Sequence, residues 1–194
     1  SMRFFGPGEY PYKTYAKFNQ MESAASALKA LGYGAEALHN NGGNFYSRAQ
    51  VFNKMGFDHF TSKEFMNILQ TTPKGWATDD ILVPNIMESM DTTEGQDFVF
   101  TISVEGHGEY PTEKVLEDPE IVVSGVEDEG ERNAWEYYVN LVHEMDKFVG
   151  ELIEAVESRN EPTVLVFYGD HLPTMDLEAK DLKSRYLYNT NYVI

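Results

Sequence analysis

Residues 162–171 read PTVLVFYGDH. The run at 163–168 is almost wholly apolar and rich in β-branched and aromatic residues, which predicts a central strand buried on both faces of a sheet. Asp170 and His171 follow at its carboxyl end, where α/β sheets bind ligands. A carboxylate beside an imidazole suits Mn²⁺ or Zn²⁺. The residues predict a metal-binding strand end, and the alternative is an N-cap aspartate beside a surface histidine.

Two further strand-like runs end in residues that can do chemistry. The first covers residues 35–38 and ends at His39, and the second, DFVFTISV at 97–104, runs into Glu105-Gly106-His107. Because the carboxyl ends of parallel strands meet at one edge of a sheet, we expect His39, His107 and Asp170-His171 to converge there.

Helical patterns lie between these strands, and they set the fold class. Apolar residues recur at helical spacing in 21–31, where Gly32 is the expected stop, and helices are also predicted at 46–55, 79–90 and 131–158. In the last of these, the predicted core-facing stripe is Trp135, Tyr138, Val142, Met145, Val149, Leu152 and Val156. The segment 105–130, rich in Gly, Pro and acidic residues, is predicted to be a long excursion. Strands that alternate with helices predict an α/β fold with a mostly parallel sheet flanked by helices.

Composition and charge exclude several classes of protein. The chain has 194 residues, 42% of them hydrophobic, which is enough for one large folded domain. With 32 acidic against 15 basic residues, the net charge of −17 argues against a nucleic-acid-binding module. It also argues against unaided docking on an anionic membrane. The absence of cysteine excludes disulfides and thiolate chemistry.

Other candidate site residues are weaker when they are taken singly. His107 lies between two glycines, which let an imidazole approach a ligand closely, although it could equally be an exposed loop histidine. Arg48 follows Phe45 and Tyr46, and an arginine beside an aromatic ring can hold phosphate, although a surface helix arginine is the plainer interpretation. His39 could complete the pocket or be a satisfied histidine at a strand end.

Common catalytic motifs are missing from the sequence. There is no Gly-x-Ser-x-Gly elbow, no P-loop and no dinucleotide fingerprint, and no Ser or Thr stands out as a nucleophile. Asp170 and His171 supply two metal ligands, whereas catalytic zinc sites usually have three from the protein.

Five segments together resemble one family, the sulfatase-like branch of the alkaline phosphatase superfamily, and within it the lipoteichoic acid synthase group of phosphoglycerol transferases. Tyr168-Gly169-Asp170-His171-Leu172-Pro173 resembles the family's metal-ligand strand end. The other four, in chain order, are Pro7–Tyr12, Leu31–His39, Phe45–Arg48 with Met55-Gly56-Phe57, and Ser103–Pro111. The resemblance extends over nearly the whole chain and implies a partial alkaline phosphatase/sulfatase-like fold.

The resemblance implies roles for individual residues. Asp170 and His171 match two metal ligands, with Mn²⁺ the usual ion and Zn²⁺ or Mg²⁺ the alternatives. His107 matches a histidine that binds the substrate phosphate, and Arg48 matches an arginine that binds the headgroup. Tyr46 stands where the family has tryptophan, and His39 matches a position near the pocket.

The resemblance also implies an activity and a location. It suggests a metal-dependent transferase that acts on phosphatidylglycerol-type headgroups or a glycerophosphate polymer, at the extracellular face of a bacterial membrane. The family's threonine nucleophile and its membrane helices would lie upstream of Pro7. We therefore expect residues 1–194 to be a single-domain central portion of a catalytic domain, without the nucleophile segment or the last strands, and inactive alone.

Other functions remain open at this stage. The same superfamily includes sulfatases and phosphoethanolamine transferases, which an upstream Cys or Ser nucleophile or a second zinc site would indicate. A non-catalytic domain that binds a phosphate polymer is another possibility, and so is an α/β interaction module in which the motifs are coincidental.

Overall fold

The computed structural model describes residues 19–194, which group into two units. The first unit ends at Glu105 and the second begins at Gly106, and each is described here by itself. The resemblance at Pro7–Tyr12 lies outside the described residues. That residues 1–194 form a single domain stays a prediction.

A parallel three-stranded sheet forms the centre of the first unit. Its strands are β1 (Gly34–His39), β2 (His59–Ser62) and β3 (Asp97–Ile102), in the order β2-β1-β3. Strands β1 and β3 confirm the two predicted runs. Sequence analysis missed β2 because it is only four residues long and its alternation is too short to be recognised.

Among residues 19–105, three short helices cover this sheet: α1 (Ala24–Lys29), α2 (Arg48–Lys54) and α3 (Leu82–Ser89). Ser23 caps α1 reciprocally with Ser26, and Gly32, at φ +97°, turns the chain into β1. One cluster of the core consists of small residues and phenyl rings, namely Ala25, Ala35, Ala37, Phe52 and Phe57. The predicted α/β fold with a parallel sheet flanked by helices is confirmed.

The second unit contains a 30-residue helix, α4 (Glu129–Ser158), which confirms the predicted long helix. Its buried positions are Ala134, Tyr137, Leu141, Leu152 and Val156. The predicted stripe was correct at Leu152 and Val156, but in the first half the buried face lies one residue earlier. Apolar residues occupy both positions there, so spacing alone could not choose between them. None of the helices in residues 19–194 combines the length and apolar character needed to cross a membrane.

The excursion before α4 lies along that helix and is fixed to it by side chains. The Asn140 side chain accepts a hydrogen bond from the Ile121 N–H at 3.0 Å and donates one to the Ile121 carbonyl at 2.8 Å. Glu136 accepts a hydrogen bond from the Val123 N–H at 3.0 Å. Asn133 donates to the Thr112 carbonyl at 2.9 Å. These helix side chains replace the partners that a strand would have had, so the excursion needs no regular structure of its own.

The predicted central strand at 163–168 is wrong for this structure. Only Phe167–Tyr168 (β4) is a strand, and it pairs antiparallel with Tyr192–Val193 (β5). Val164 is 77% exposed and Val166 50% exposed, so the run is not buried on both faces. An apolar run specifies a preference for pairing, but a strand also needs a neighbour in register. Within the second unit only β5 provides one.

Candidate functional site

The predicted site residues fall into one group per unit. His39, Tyr46 and Arg48 belong to the first unit, and His107, Asp170 and His171 belong to the second. Their roles remain predictions, and the geometry of each group is as follows.

In the second unit, His107 lies beside the predicted metal pair. The rings of His107 and His171 meet edge to face with centroids 6.0 Å apart, and His171 Nε2 is 3.6 Å from Asp170 Oδ1. All three side chains are exposed. His107, near the start of the unit, and Asp170 and His171, farther along the chain, therefore form one polar surface that a ligand can reach.

The donor chemistry of Asp170 and His171 fits a divalent metal ion. His171 Nδ1–H donates to the Leu172 carbonyl at 2.8 Å, so in the neutral ring Nε2 carries the lone pair. Ligands about 2.1 Å from a tetrahedral ion are separated by roughly 3.4 Å, close to the Nε2–Oδ1 distance here. Within residues 19–194 no three His, Asp or Glu side chains gather as a metal site. Two ligands are fewer than a metal site usually takes from the protein, and metal binding by this pair stays a prediction.

A tight loop carries His107. The Tyr110 hydroxyl donates to the Gly106 carbonyl at 3.0 Å, and Glu109 adopts a left-handed φ of +71°. A Cβ at Gly108 would lie 2.6 Å from Thr174 Oγ1, so a side chain there would force the Thr174 hydroxyl to move. Left-handed backbone at a non-glycine residue costs free energy and is concentrated at functional sites.

In the first unit, Arg48 lies against two aromatic rings. Its guanidinium carbon is 5.5 Å from the centre of the Phe45 ring and 5.8 Å from that of Tyr46. Tyr46 and Ser47 both have φ of +55°, and this sharp turn leads directly into α2, which begins at Arg48. The rings orient a cation that can bind an anionic oxygen.

His39 is deeply buried at the end of β1. Its side chain belongs to a residue only 2% exposed, and Nδ1–H donates to the Ile102 carbonyl of β3 at 2.8 Å. One ring nitrogen is thus hydrogen-bonded at the strand end, which is consistent with the structural alternative that the sequence left open. A substrate-binding role for His39 stays a prediction.

A buried carboxylate network at the carboxyl edge of the sheet was not anticipated. Asp79 Oδ1 accepts from Asn40 Nδ2 at 2.7 Å and from the Val104 and Glu105 N–H groups at 3.3 Å. The Glu105 carboxylate in turn accepts from the Asp79 N–H at 2.7 Å. Burial raises the pKa of Asp79, against the opposing effect of Asn40 and the backbone donors. From the sequence, Asp79 looks like an ordinary acidic helix start.

A second unexpected pair joins neighbouring strands away from these residues. Glu36 on β1 is 4% exposed, and its Oε1 accepts from His59 Nδ1 on β2 at 2.7 Å. The two face a cavity of about 620 Å³, which Asn85 and Ser89 of α3 also line. The sequence does not reveal this pair, because the strand register that places Glu36 opposite His59 depends on β2, which was not predicted.

We expect the Glu36–His59 pair to make stability depend on pH. The hydrogen bond and charge of Glu36 raise the pKa of His59 above 6.5. The stabilisation is therefore fully present below pH 6.5 and is lost as pH rises through the folded-state pKa. Urea unfolding of wild type and His59→Gln between pH 5.5 and 8.5 measures this. The difference between the two proteins should shrink as pH rises, and a constant difference would contradict the prediction.

Several solved structures share the fold of this chain. The solved phosphoglycerol transferase GacH of Streptococcus pyogenes, in complex with sn-glycerol-1-phosphate, matches with a TM-score of 0.77 and 22% identity over 97% of this chain and 49% of that one. The lipoteichoic acid synthase LtaP of Listeria monocytogenes gives 0.75 and 21% over 96% and 48%. The zinc complex of the periplasmic domain of Escherichia coli EptC gives 0.60 and 16% over 89% and 51%. These likenesses show the fold.

A relative from Rhizobium meliloti (strain 1021) is closer in sequence. It carries the name "Putative cyclic beta-1,2-glucan modification protein" and is 32% identical over 177 residues. The match covers 91% of this chain but only 27% of the relative, so this chain spans about a quarter of that protein's length.

The model of the sulfatase family matches residues 6–194, nearly the whole chain. The predicted resemblance is confirmed by this match and by the shared fold of the lipoteichoic acid synthase and the phosphoglycerol transferase. The chain belongs to the sulfatase family.

Proposed function

We propose that this chain is part of a metal-dependent phosphoglycerol transferase that acts on phosphatidylglycerol-type headgroups in the synthesis of a cell-envelope polymer. The observation that carries the proposal is the grouping of His107 with Asp170 and His171 in the second unit. The glycerol phosphate bound to GacH, which shares this fold, supports a glycerophosphate substrate.

On this proposal Asp170 Oδ1 and His171 Nε2 hold a divalent ion, with Mn²⁺ first and Zn²⁺ or Mg²⁺ as alternatives. When bound, such an ion stabilises charge on the phosphate and activates a nucleophile. A further acidic ligand and the threonine nucleophile are expected upstream of Pro7.

Two side chains of this chain bind the substrate phosphate. His107, exposed at the tip of its loop, donates from its imidazole to a non-bridging phosphate oxygen. Arg48 binds a phosphate oxygen with its guanidinium, while the Tyr46 ring restricts its orientation. Threonine attack on phosphorus releases diacylglycerol, and an acceptor hydroxyl then displaces the phosphoglyceryl group from the enzyme.

The acceptor is proposed to be a glucan hydroxyl. This rests on the Rhizobium relative, which is named for glucan modification and is more similar in sequence than either transferase structure. The location proposed for the reaction is the outer face of the cell membrane, which is supported by the periplasmic domain of EptC that shares this fold. Membrane helices upstream would anchor the protein there.

The test uses a form of the protein that continues upstream of Ser1 through a candidate threonine and acidic ligand, called the extended protein below. With Mn²⁺ present, we expect diacylglycerol release from phosphatidylglycerol vesicles and no turnover of phosphatidylethanolamine or an aryl sulfate. Addition of cyclic β-1,2-glucan should yield a phosphoglycerol-modified glucan. Turnover of one of the other two donors alone would instead indicate a phosphoethanolamine transferase or a sulfatase. Binding of glycerophosphate polymer without any turnover would indicate a binding domain.

A further inference from the structure

The loop from Gly106 to Tyr110 is closed by one side chain. The Tyr110 hydroxyl lies 3.0 Å from the Gly106 carbonyl oxygen, to which it donates, so the loop forms a ring with His107 at its tip. His107 itself is exposed and meets His171 edge to face. We propose that Tyr110 is the positioning residue that holds the His107 imidazole beside His171, toward the phosphate of the substrate.

The tyrosine is itself held from the side away from the loop. Its ring packs edge to face on Tyr138 of α4 at 5.2 Å, and Tyr138 packs on Trp135 at 6.0 Å. Aromatic pairs of this kind restrict ring orientation. Helix α4 therefore fixes the direction from which the Tyr110 hydroxyl reaches the loop.

The hydroxyl remains a donor across the physiological range. Burial raises the pKa of Tyr110 to about 12, with a smaller contribution from Tyr138 and Tyr137. The phenol is thus protonated at neutral pH, and its hydrogen bond to the carbonyl does not titrate away.

This hydrogen bond helps to hold the loop in a strained backbone conformation. Glu109 is held at φ +71°, and a side chain at Gly108 would displace the Thr174 hydroxyl. Strained backbone persists only where the surroundings over-determine it. Without the Tyr110 hydroxyl, Glu109 is free to return to right-handed backbone, and the direction of His107 changes with it.

The role assigned to Tyr110 rests on the proposed function, because it acts through His107. Misplacement of a phosphate-binding group by about 1 Å can lower turnover by as much as a hundredfold. We therefore expect a positioning residue to affect kcat more than substrate binding.

The experiment compares Tyr110→Phe with Tyr138→Phe, which removes a neighbouring hydroxyl that closes no loop. In the 194-residue chain, imidazole correlation spectra and ring-to-ring nuclear Overhauser effects report the His107–His171 contact without any substrate. We expect Tyr110→Phe to shift the His107 signals and weaken that contact, while Tyr138→Phe leaves both unchanged. In the extended protein, we expect Tyr110→Phe to lower kcat about tenfold with KM within about twofold.

A second variant, Gly108→Ala, disturbs the loop from its Thr174 side and should displace the same His107 signals. Unchanged His107 signals in Tyr110→Phe would overturn the inference, as would a kcat equal to that of Tyr138→Phe. If the extended wild type turns over no phosphatidylglycerol, the proposed function fails. The spectra alone then decide whether Tyr110 positions His107.

Discussion

Replacement of Asp170 by asparagine is expected to abolish both metal retention and turnover in the extended protein. The carboxylate oxygen that lies 3.6 Å from His171 Nε2 is the only negative charge of the pair. Asparagine keeps the shape but removes that charge, and a neutral amide oxygen binds Mn²⁺ more weakly than a carboxylate does. Loss of a metal that stabilises transition-state charge by several kcal/mol corresponds to about a thousandfold or more in kcat.

The measurement is metal content after desalting, together with Mn²⁺ calorimetry and diacylglycerol release. Asp146→Asn is the matched control, because Asp146 is an exposed aspartate on α4. We expect it to retain metal and activity. Wild-type metal content in Asp170→Asn would remove Asp170 from the metal site. Full activity without metal would contradict the metal-dependent mechanism itself.

Replacement of Asp79 by alanine is expected to destabilise the chain by about 3 kcal/mol. Asp79 is fully buried, and its Oδ1 accepts three hydrogen bonds. Alanine leaves two backbone N–H groups buried without that acceptor, and each unsatisfied donor costs about 1 kcal/mol or more. The Asn40 amide, which also donates to the Ala77 and Thr78 carbonyls, loses one of its three acceptors. Urea unfolding measures the loss.

Two further variants serve as controls for Asp79→Ala. Asp79→Asn keeps an acceptor oxygen and removes a buried carboxyl group whose pKa is already raised. We therefore expect it to lower the stability by at most about 1 kcal/mol. The exposed neighbour Asp80, changed to alanine, should alter stability by less than about 0.5 kcal/mol. Equal losses in Asp79→Ala and Asp80→Ala would show that the network does not stabilise the sheet edge.

Local patterns predicted most of the first unit. Strands β1 and β3 and helix α1 with its Gly32 stop follow from period, β-branched content and one glycine, all of which are encoded within a few residues. The strand at 163–168 failed for the opposite reason. Its apolar character is local, but whether it pairs depends on a distant segment, and here only Tyr192–Val193 pairs with it.

In the candidate site, too, the sequence reveals residues that are marked by their neighbours in the chain and misses those whose partners are distant. Asp170 and His171 are adjacent in sequence, and His107 is marked by two flanking glycines, so these residues could be proposed directly. Asp79 and Tyr110 could not be singled out. Their partners are backbone groups fixed only by the folded chain, namely the Val104 and Glu105 N–H groups and the Gly106 carbonyl.

The α4 side chains that hold the backbone of the excursion have a consequence for how this protein can change over evolution. The backbone of the excursion is held by Asn133, Glu136 and Asn140, so its own outward side chains, such as exposed Val122, contribute little to holding it in place. Substitutions there should be tolerated freely, whereas a single-residue insertion between Thr112 and Ile121 would shift the spacing of the anchoring carbonyls. Related chains should therefore vary in the composition of this segment while keeping its length and the helix amides.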